Sequence, residues 1–268
     1  MQLKSLLQQV YRNNNLSIAN NDTSWLGPYD SWKKAEEYSV RYGSEMILNK
    51  VKKTMQQVKE GKYLYERDSV GFNKDDYSWP LLTCLLWITS REKNNLNIVD
   101  FGGSLGSTYI QNRKFLSHIK SLTWNIIEMK RIVAYGKKLE DSQLKFYYTL
   151  QDYLMKNQAN VILFSASIQY LEFPYMMLDE VIKSKFKYII IDRTYFLENE
   201  LEKIMICKVP NAIFQASLTM WMFNKQKFTQ YLSKKYELIA DFQGSYDPDI
   251  TLPNINAVSK GFLFKRKK

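Results

Sequence analysis

Histidine is almost missing from this chain: His118 stands alone among 268 residues. That excludes any site needing two imidazoles, including the zinc motifs of metalloproteases and paired-histidine metal clusters, so no metal site is expected. Cysteine is nearly as scarce. Cys84 and Cys207 lie 123 positions apart in apolar surroundings, which excludes a disulfide framework or a zinc knuckle and fits a reducing compartment. Long hydrophobic runs are missing too. The longest, Trp79–Ile88, has ten residues and contains a proline, against the ~18 needed to span a bilayer. The amino terminus, MQLKSLLQQVYRNNN, interrupts what would be a signal peptide's apolar core with polar residues, and no small-residue cleavage site follows. A cytoplasmic protein without a transmembrane segment is the expectation.

What is present is the composition of a globular chain, 45% hydrophobic and 24% charged, large enough for one sizeable core and a modest accessory segment. Lys and Arg outnumber Asp and Glu by 38 to 27, a formal charge of +11. An acidic partner is one reading of that excess; a coding bias toward Lys, Asn, Ile and Tyr is the other. The basic residues fall in dispersed pairs (Lys52-Lys53, Lys130-Arg131, Lys137-Lys138, Lys234-Lys235) and a KRKK tail. A nucleic-acid binder more often gathers them on one element with stacking aromatics.

No repeat and no Pro/Gly/Ser-rich linker divides the chain. Residues 1–91 read as a helical cap or lid. One helical pattern covers Ser31 to about Lys59 with a break near Gly43, a second covers Trp79 to Ser90, and the polar stretch Tyr63–Asp76 between them is a solvated connection or a lid. From residue 92 onward short apolar runs alternate with helical patterns, predicting parallel strands at Leu96–Phe101, Thr123–Ile127, Lys145–Tyr148, Asn160–Ser165 and Lys187–Asp192. Tyr236–Phe242 and Ala257–Phe264 suit an antiparallel closing pair. The expected fold is α/β and Rossmann-like, a mostly parallel seven-stranded sheet with an antiparallel C-terminal strand. Ligands bind such sheets at the carboxyl ends of the strands.

The first of these strands runs into Asp100-Phe101-Gly102-Gly103-Ser104-Leu105-Gly106, directly before a helical pattern. Glycines allow a tight turn and a close ligand approach, and the helix behind them offers unpaired N–H groups. The dinucleotide pattern Gly-x-Gly-x-x-Gly is not met, because serine stands at its third and sixth places. Counted from Asp100, the run looks like the acid-x-Gly-x-Gly-x-Gly loop of class I S-adenosylmethionine methyltransferases with serine for the middle glycine. Glu128 follows the second strand, 22 residues past Gly106. A carboxylate there matches the cis-diol of a ribose.

With these residues in view, DFGGSLGSTYIQNRKFL, TWNIIEMKRIVAYGKK, VILFSASIQYLEFP and YIIIDRTYF resemble a family of class I S-adenosylmethionine-dependent methyltransferases encoded among bacterial cell-surface polysaccharide and glycosylation genes. GPYDSWKKAEEYS, YERDS and WPLL extend the resemblance, which covers roughly Gly27 to Phe242. After Pro210 the run QASLTMW departs from the family's Ser-Tyr-Pro-x-Trp. The resemblance implies S-adenosylmethionine as cofactor, with Asp100, Gly102, Gly103, Ser104 and Gly106 around its methionine part, Glu128 on the ribose and Met129 against the adenine. Asp152 either meets the adenine amino group or is a first-turn acid favoured by the helix dipole. Ser165 faces the methyl donor in such folds.

Methyl transfer from a sulfonium depends on alignment, so the lack of a histidine base is no obstacle. The catalytic candidates are Asp192 and Arg193 after the fifth strand and Tyr170 after the fourth. Asp192 and Arg193 are an acid-base or anion-binding pair or else an ordinary surface ion pair; Tyr170 serves substrate or caps the core edge. Ser167, Gln169 and Arg67 are candidate substrate contacts, and His118 is structural or at the surface. The expected activity is methylation of oxygen or nitrogen on a small-molecule or glycan-linked acceptor. The alternatives are a non-catalytic nucleoside-binding relative of the same fold and an RNA or DNA methyltransferase, although no Asn-Pro-Pro-Tyr run is present.

Overall fold

The computed structural model describes residues 25–39, 45–74, 76–209 and 216–268. Residues 1–24 of the expected cap, the break at Gly43 and residues 210–215 lie outside them; the QASLTMW run is described from Ala216 on. In chain order the elements are β1 (Trp25–Tyr29), α1 (Trp32–Glu37), α2 (Glu45–Lys59), β2 (Tyr65–Arg67), β3 (Val70–Phe72), α3 (Trp79–Arg91), β4 (Asn95–Phe101), α4 (Ser107–Leu116), β5 (Ser121–Ile127) and α5 (Lys130–Gly136). They continue with β6 (Leu144–Tyr147), α6 (Leu150–Leu154), β7 (Val161–Ser165), α7 (Pro174–Lys183), β8 (Tyr188–Leu197), β9 (Lys203–Val209), β10 (Ala216–Asn224), α8 (Lys225–Ser233), β11 (Tyr236–Gln243), β12 (Ile250–Leu252) and β13 (Ile255–Arg266).

The expected doubly wound arrangement is present. Strands β6, β5, β4, β7 and β8 lie side by side and parallel; β13 pairs antiparallel with β8, and β11 antiparallel with β13. These seven strands match the expected core. Their interior residues alternate between two layers: Leu96 and Ile98 of β4 pack with α2 to α5, while Val99 packs with α6, α7 and α8. The helices form for local reasons. Ser78 caps α3 by accepting from the Leu81 N–H, and Pro80 sits in the first turn, where its missing donor is harmless. Helix α2 buries Ile47, Leu48, Val51, Met55 and Val58, one stripe at three-and-four spacing.

Three expectations need correction. The sheet is larger than seven strands: β8 runs past Asp192 to Leu197, its far half carries β10, then β9, then β1, and β12 pairs with β13, making eleven strands. The amino-terminal segment is therefore not wholly helical, because Trp25–Tyr29 pairs with β9. Long-range pairing here overrides weak local preference. Finally, of the two readings of the stretch around YERDS, the solvated connection is not met. Tyr65–Arg67 and Val70–Phe72 form a hairpin whose Glu66, Arg67 and Ser69 are buried. Among the described residues no helix is long and apolar enough to cross a membrane.

Candidate active site

A cavity of about 720 Å³ opens over the carboxyl ends of β4, β5, β7 and β8 and is roofed by the β2–β3 hairpin. Its lining carries seven carboxyl side chains (Glu36, Glu66, Asp68, Glu128, Glu180, Asp192, Asp247) and two arginines (Arg67, Arg193). Buried polar atoms without a hydrogen-bond partner concentrate here. Arg67 Nη1, Ser69 Oγ, Ser104 Oγ, Ser167 Oγ, Asp192 Oδ1 and Thr219 Oγ1 all belong to lining residues. An unpaired buried polar group costs free energy, so this concentration marks a place for a polar ligand.

The glycine loop forms one end. The Gly102 N–H donates to the Ile127 carbonyl at 2.9 Å, tying the loop to the tip of β5. Gly102 has φ +77°, and a Cβ there would lie 2.7 Å from Ser167 Cβ; on Gly103 it would lie 2.5 Å from Asp100 Oδ2. The backbone thus passes where no side chain fits. Glu128 completes this end. It accepts from its neighbour Met129 N–H at 2.6 Å and from the Ser104 N–H, and burial raises its carboxyl to about 7.

Of the expected cofactor residues, Gly102, Gly103, Ser104, Glu128, Met129 and Ser165 line the cavity; Asp100, Gly106 and Asp152 do not. Asp100 is turned beneath the loop, where its Oδ2 accepts from Trp124 Nε1 at 2.9 Å, and burial, with Glu128 adding, raises it to about 7. It props the loop. Gly106 caps α4 at φ +92° with its open side against Leu144. Asp152 sits in the first turn of α6, where its N–H donates to the capping Thr149 Oγ1 at 3.0 Å.

The other end is built from charge. Arg193 and Asp192 are not an ion pair at the surface: both are largely buried, and Arg193 turns away, its Nε and Nη2 donating to the two oxygens of Asp247 at 2.7 and 3.0 Å and Nη2 also to Asp68 at 2.8 Å. Although desolvation opposes its charge, Asp247 and Asp68 hold Arg193 above its already high range. It is a clasp and not an acid-base group. Asp192 is left with Oδ1 unpartnered and a long 3.4 Å contact from Ser165 Oγ to Oδ2. Desolvation, reinforced by Asp247 and opposed by Arg193, raises its carboxyl to about 7.

Tyr170 lines the cavity, but desolvation and the nearby Cys207, Asp247 and Asp68 push its phenol up, so it can donate a hydrogen bond and cannot act as a base near neutral pH. Gln169 also lines it, yet both ends of its amide are engaged, Nε2 with the Arg193 carbonyl and Oε1 with Thr194 Oγ1. Ser167 Oγ stays unpartnered. Arg67 stacks on Tyr246, its guanidinium 3.4 Å from the ring centroid, and donates to Asp76 at 3.3 Å. Its neighbour Glu66 accepts from the Ser69 N–H at 2.6 Å and from Ser107 Oγ just behind the glycine loop, and burial raises it to about 7. His118 is exposed behind α4, remote from the lining.

Asp247, Tyr246, Thr219 and Ser217 were not singled out from the sequence. They lie on or beside strands whose path depends on distant pairing. Only the two prolines of the β11–β13 connection hinted that this loop is shaped.

No protein-family profile matches the chain. No curated protein matches it either. Among solved structures, the chain is similar to the Burkholderia thailandensis 1,6-didemethyltoxoflavin-N1-methyltransferase with bound 1,6-didemethyltoxoflavin and S-adenosylhomocysteine (8% identity, 94% of this chain, 99% of that one, TM-score 0.49). It is also similar to the S-adenosylmethionine-bound magnesium protoporphyrin IX methyltransferase of Synechocystis PCC 6803 (9%, 100%, 98%, 0.43). A third is the amino pentose methyltransferase of Micromonospora echinaspora (11%, 71%, 92%, 0.43). The site itself rests on this chain's own strand order and side chains.

Proposed function

We propose that the protein is a class I methyltransferase that uses S-adenosylmethionine to methylate oxygen or nitrogen on a small or glycan-linked acceptor. The observation that carries this reading is the joint between the glycine loop and Glu128 at the tips of adjacent parallel strands, open to a cavity. The residues present fit such a cofactor. Gly102 and Gly103 leave room for close approach, Ser104 Oγ and Ser167 Oγ are buried without partners, and the Glu128 carboxylate suits a ribose diol. Met129 and Leu150 supply the apolar side for a purine. When bound, S-adenosylmethionine supplies an electrophilic methyl group on a sulfonium that departs as a thioether.

The chain's own part is positioning and proton handling. The β2–β3 hairpin covers the loop and excludes water, which strengthens every charge inside. Asp192, raised to about 7 and with a free oxygen, can take a proton from an acceptor near neutral pH. The resemblance to glycosylation-associated methyltransferases is why the acceptor is placed among small or glycan-linked molecules. Calorimetric titration with S-adenosylmethionine and S-adenosylhomocysteine is the test: binding of both is expected, and no binding at millimolar ligand overturns the proposal. Binding with no transfer to any acceptor would leave a nucleoside-binding relative of the fold.

A further inference from the structure

The charge of the molecule is distributed against its total. The chain carries +11, yet the cavity lining holds seven carboxyls against two guanidiniums. Both arginines carry acidic partners. Arg193 is clasped by Asp68 and Asp247, and Arg67 is paired with Asp76 on the hairpin that contacts Ser107 at the glycine-loop end. Arg67 Nη1 is the one buried guanidinium nitrogen of the described lining residues that stays without a partner. Asp192 Oδ1 is the one unpartnered carboxylate oxygen among the buried lining atoms.

Its location follows from the sheet. Strands β8 and β10 pair only at Phe196–Phe223 and Leu197–Asn224. The same register extended backwards would set Asp192 opposite Thr219, but no pairing occurs there and both residues line the cavity. The two strands therefore part at this point, and each presents a buried polar atom without a partner, Asp192 Oδ1 and Thr219 Oγ1. Tyr170 also lines this cavity. A carboxyl beside a hydroxyl, in a lining with more carboxyls than cations, suits a group that is positively charged and surrounded by hydroxyls.

We propose that the acceptor is a hydroxylated amine that binds in the cavity beside Asp192 and Thr219 as its ammonium ion, with Asp192 as the group that receives its hydrogen bond and then its proton; this rests on the methyl-transfer reading above. Asp192 Oδ1 takes one N–H proton and becomes a neutral carboxyl. The electron pair of that bond stays on nitrogen as the lone pair that takes the methyl, and the displaced sulfur keeps the electrons of the bond it loses. The product is a methylated ammonium ion, and the proton leaves Asp192 to solvent. A phosphorylated or uronic-acid acceptor is disfavoured by the same charges.

The experiment uses the full chain saturated with S-adenosylhomocysteine, titrated with D-glucosamine, D-glucose and D-glucose 6-phosphate as matched probes. Glucosamine is expected to bind at least about tenfold more tightly than glucose, with the phosphate weakest. In Asp192→Asn, which keeps the shape and removes the charge, the amine preference should vanish. The proposal is overturned if glucosamine shows no binding, if either other probe equals it, or if the preference survives in Asp192→Asn. The wild-type series stands alone should the variant not fold. Failure of S-adenosylhomocysteine to bind would instead sink the methyl-transfer reading, and the three probes on the unliganded chain would still decide the charge preference.

Discussion

The two ends of the cavity are made by different means. The glycine-loop end comes from β4, β5 and β7, which are neighbours in one parallel sheet, and main-chain geometry shapes it: a left-handed Gly102, the Gly102 N–H on Ile127, the Ser104 N–H on Glu128. The opposite end joins the hairpin, the middle of β8, the start of β10 and the loop before β12, and one side chain, Arg193, holds three of these parts together through Asp68 and Asp247. An end built by backbone fails through steric intrusion. An end built by a buried charge fails when one partner is removed, because the remaining charges are left uncompensated.

That contrast can be broken first at the clasp. Arg193→Ala should destabilise the fold by about 3 kcal/mol, the lower end of the range for a broken buried pair because Asp68 reaches solvent. Arg193→Lys should recover only part of this, since a single ammonium cannot satisfy both oxygens of Asp247 and reach Asp68 as the guanidinium fork does. Denaturant unfolding decides it; a loss below about 1 kcal/mol would reduce the clasp to a surface pair. Next comes the backbone end. Gly103→Ala sets a Cβ 2.5 Å from Asp100 Oδ2 and 2.9 Å from Ile126 Cδ1. It should cost about 1–3 kcal/mol and abolish cofactor binding.

Glu128→Ala should weaken S-adenosylhomocysteine by tenfold to a hundredfold, about 1.5–3 kcal/mol for hydrogen bonds to a charged group, without lowering the melting temperature. An unchanged dissociation constant would remove Glu128 from the site. The pH dependence follows from four buried carboxyls, Glu66, Asp100, Glu128 and Asp192, each raised to about 7. Unfolded, they titrate near 4. Between these values the folded chain keeps protons the unfolded chain would release, so their contribution to stability is present below about pH 4 and is lost as pH rises through 7. The melting temperature of the unliganded protein should therefore fall from pH 5 to pH 8. Glu128→Gln should flatten the slope from one end of the cavity and Asp192→Asn from the other; a rise across this window contradicts the burial of these groups. The smallest effect belongs to Asp152→Asn, expected to change cofactor affinity by less than about twofold because Asp152 lies outside the lining.

The same contrast explains what could be read early. Strands β4 to β7 and the loop at Gly102 announce themselves by local pattern: an apolar run, glycines, then a helix, with Glu128 one unit further on. Asp68 and Arg193 were visible as charged residues, but nothing in YERDS or YIIIDR says that they meet 125 positions apart. Asp100 could be read as acidic and near the loop, though not that Trp124 holds it beneath. The extra strands β1, β9 and β10 were missed because their identity comes from one another.

By itself, then, the sequence determined the periodicity: which segments alternate strand and helix, where the glycine turn falls, and that no histidine pair is available. Those are local properties, set by side-chain spacing and backbone freedom within a few residues. Only the tertiary structure decided which carboxyls share one cavity, which arginine neutralises them and which oxygens are left without a partner. Such facts depend on sheet order and on where β8 and β10 part, and burial then sets the charge state of each group it encloses.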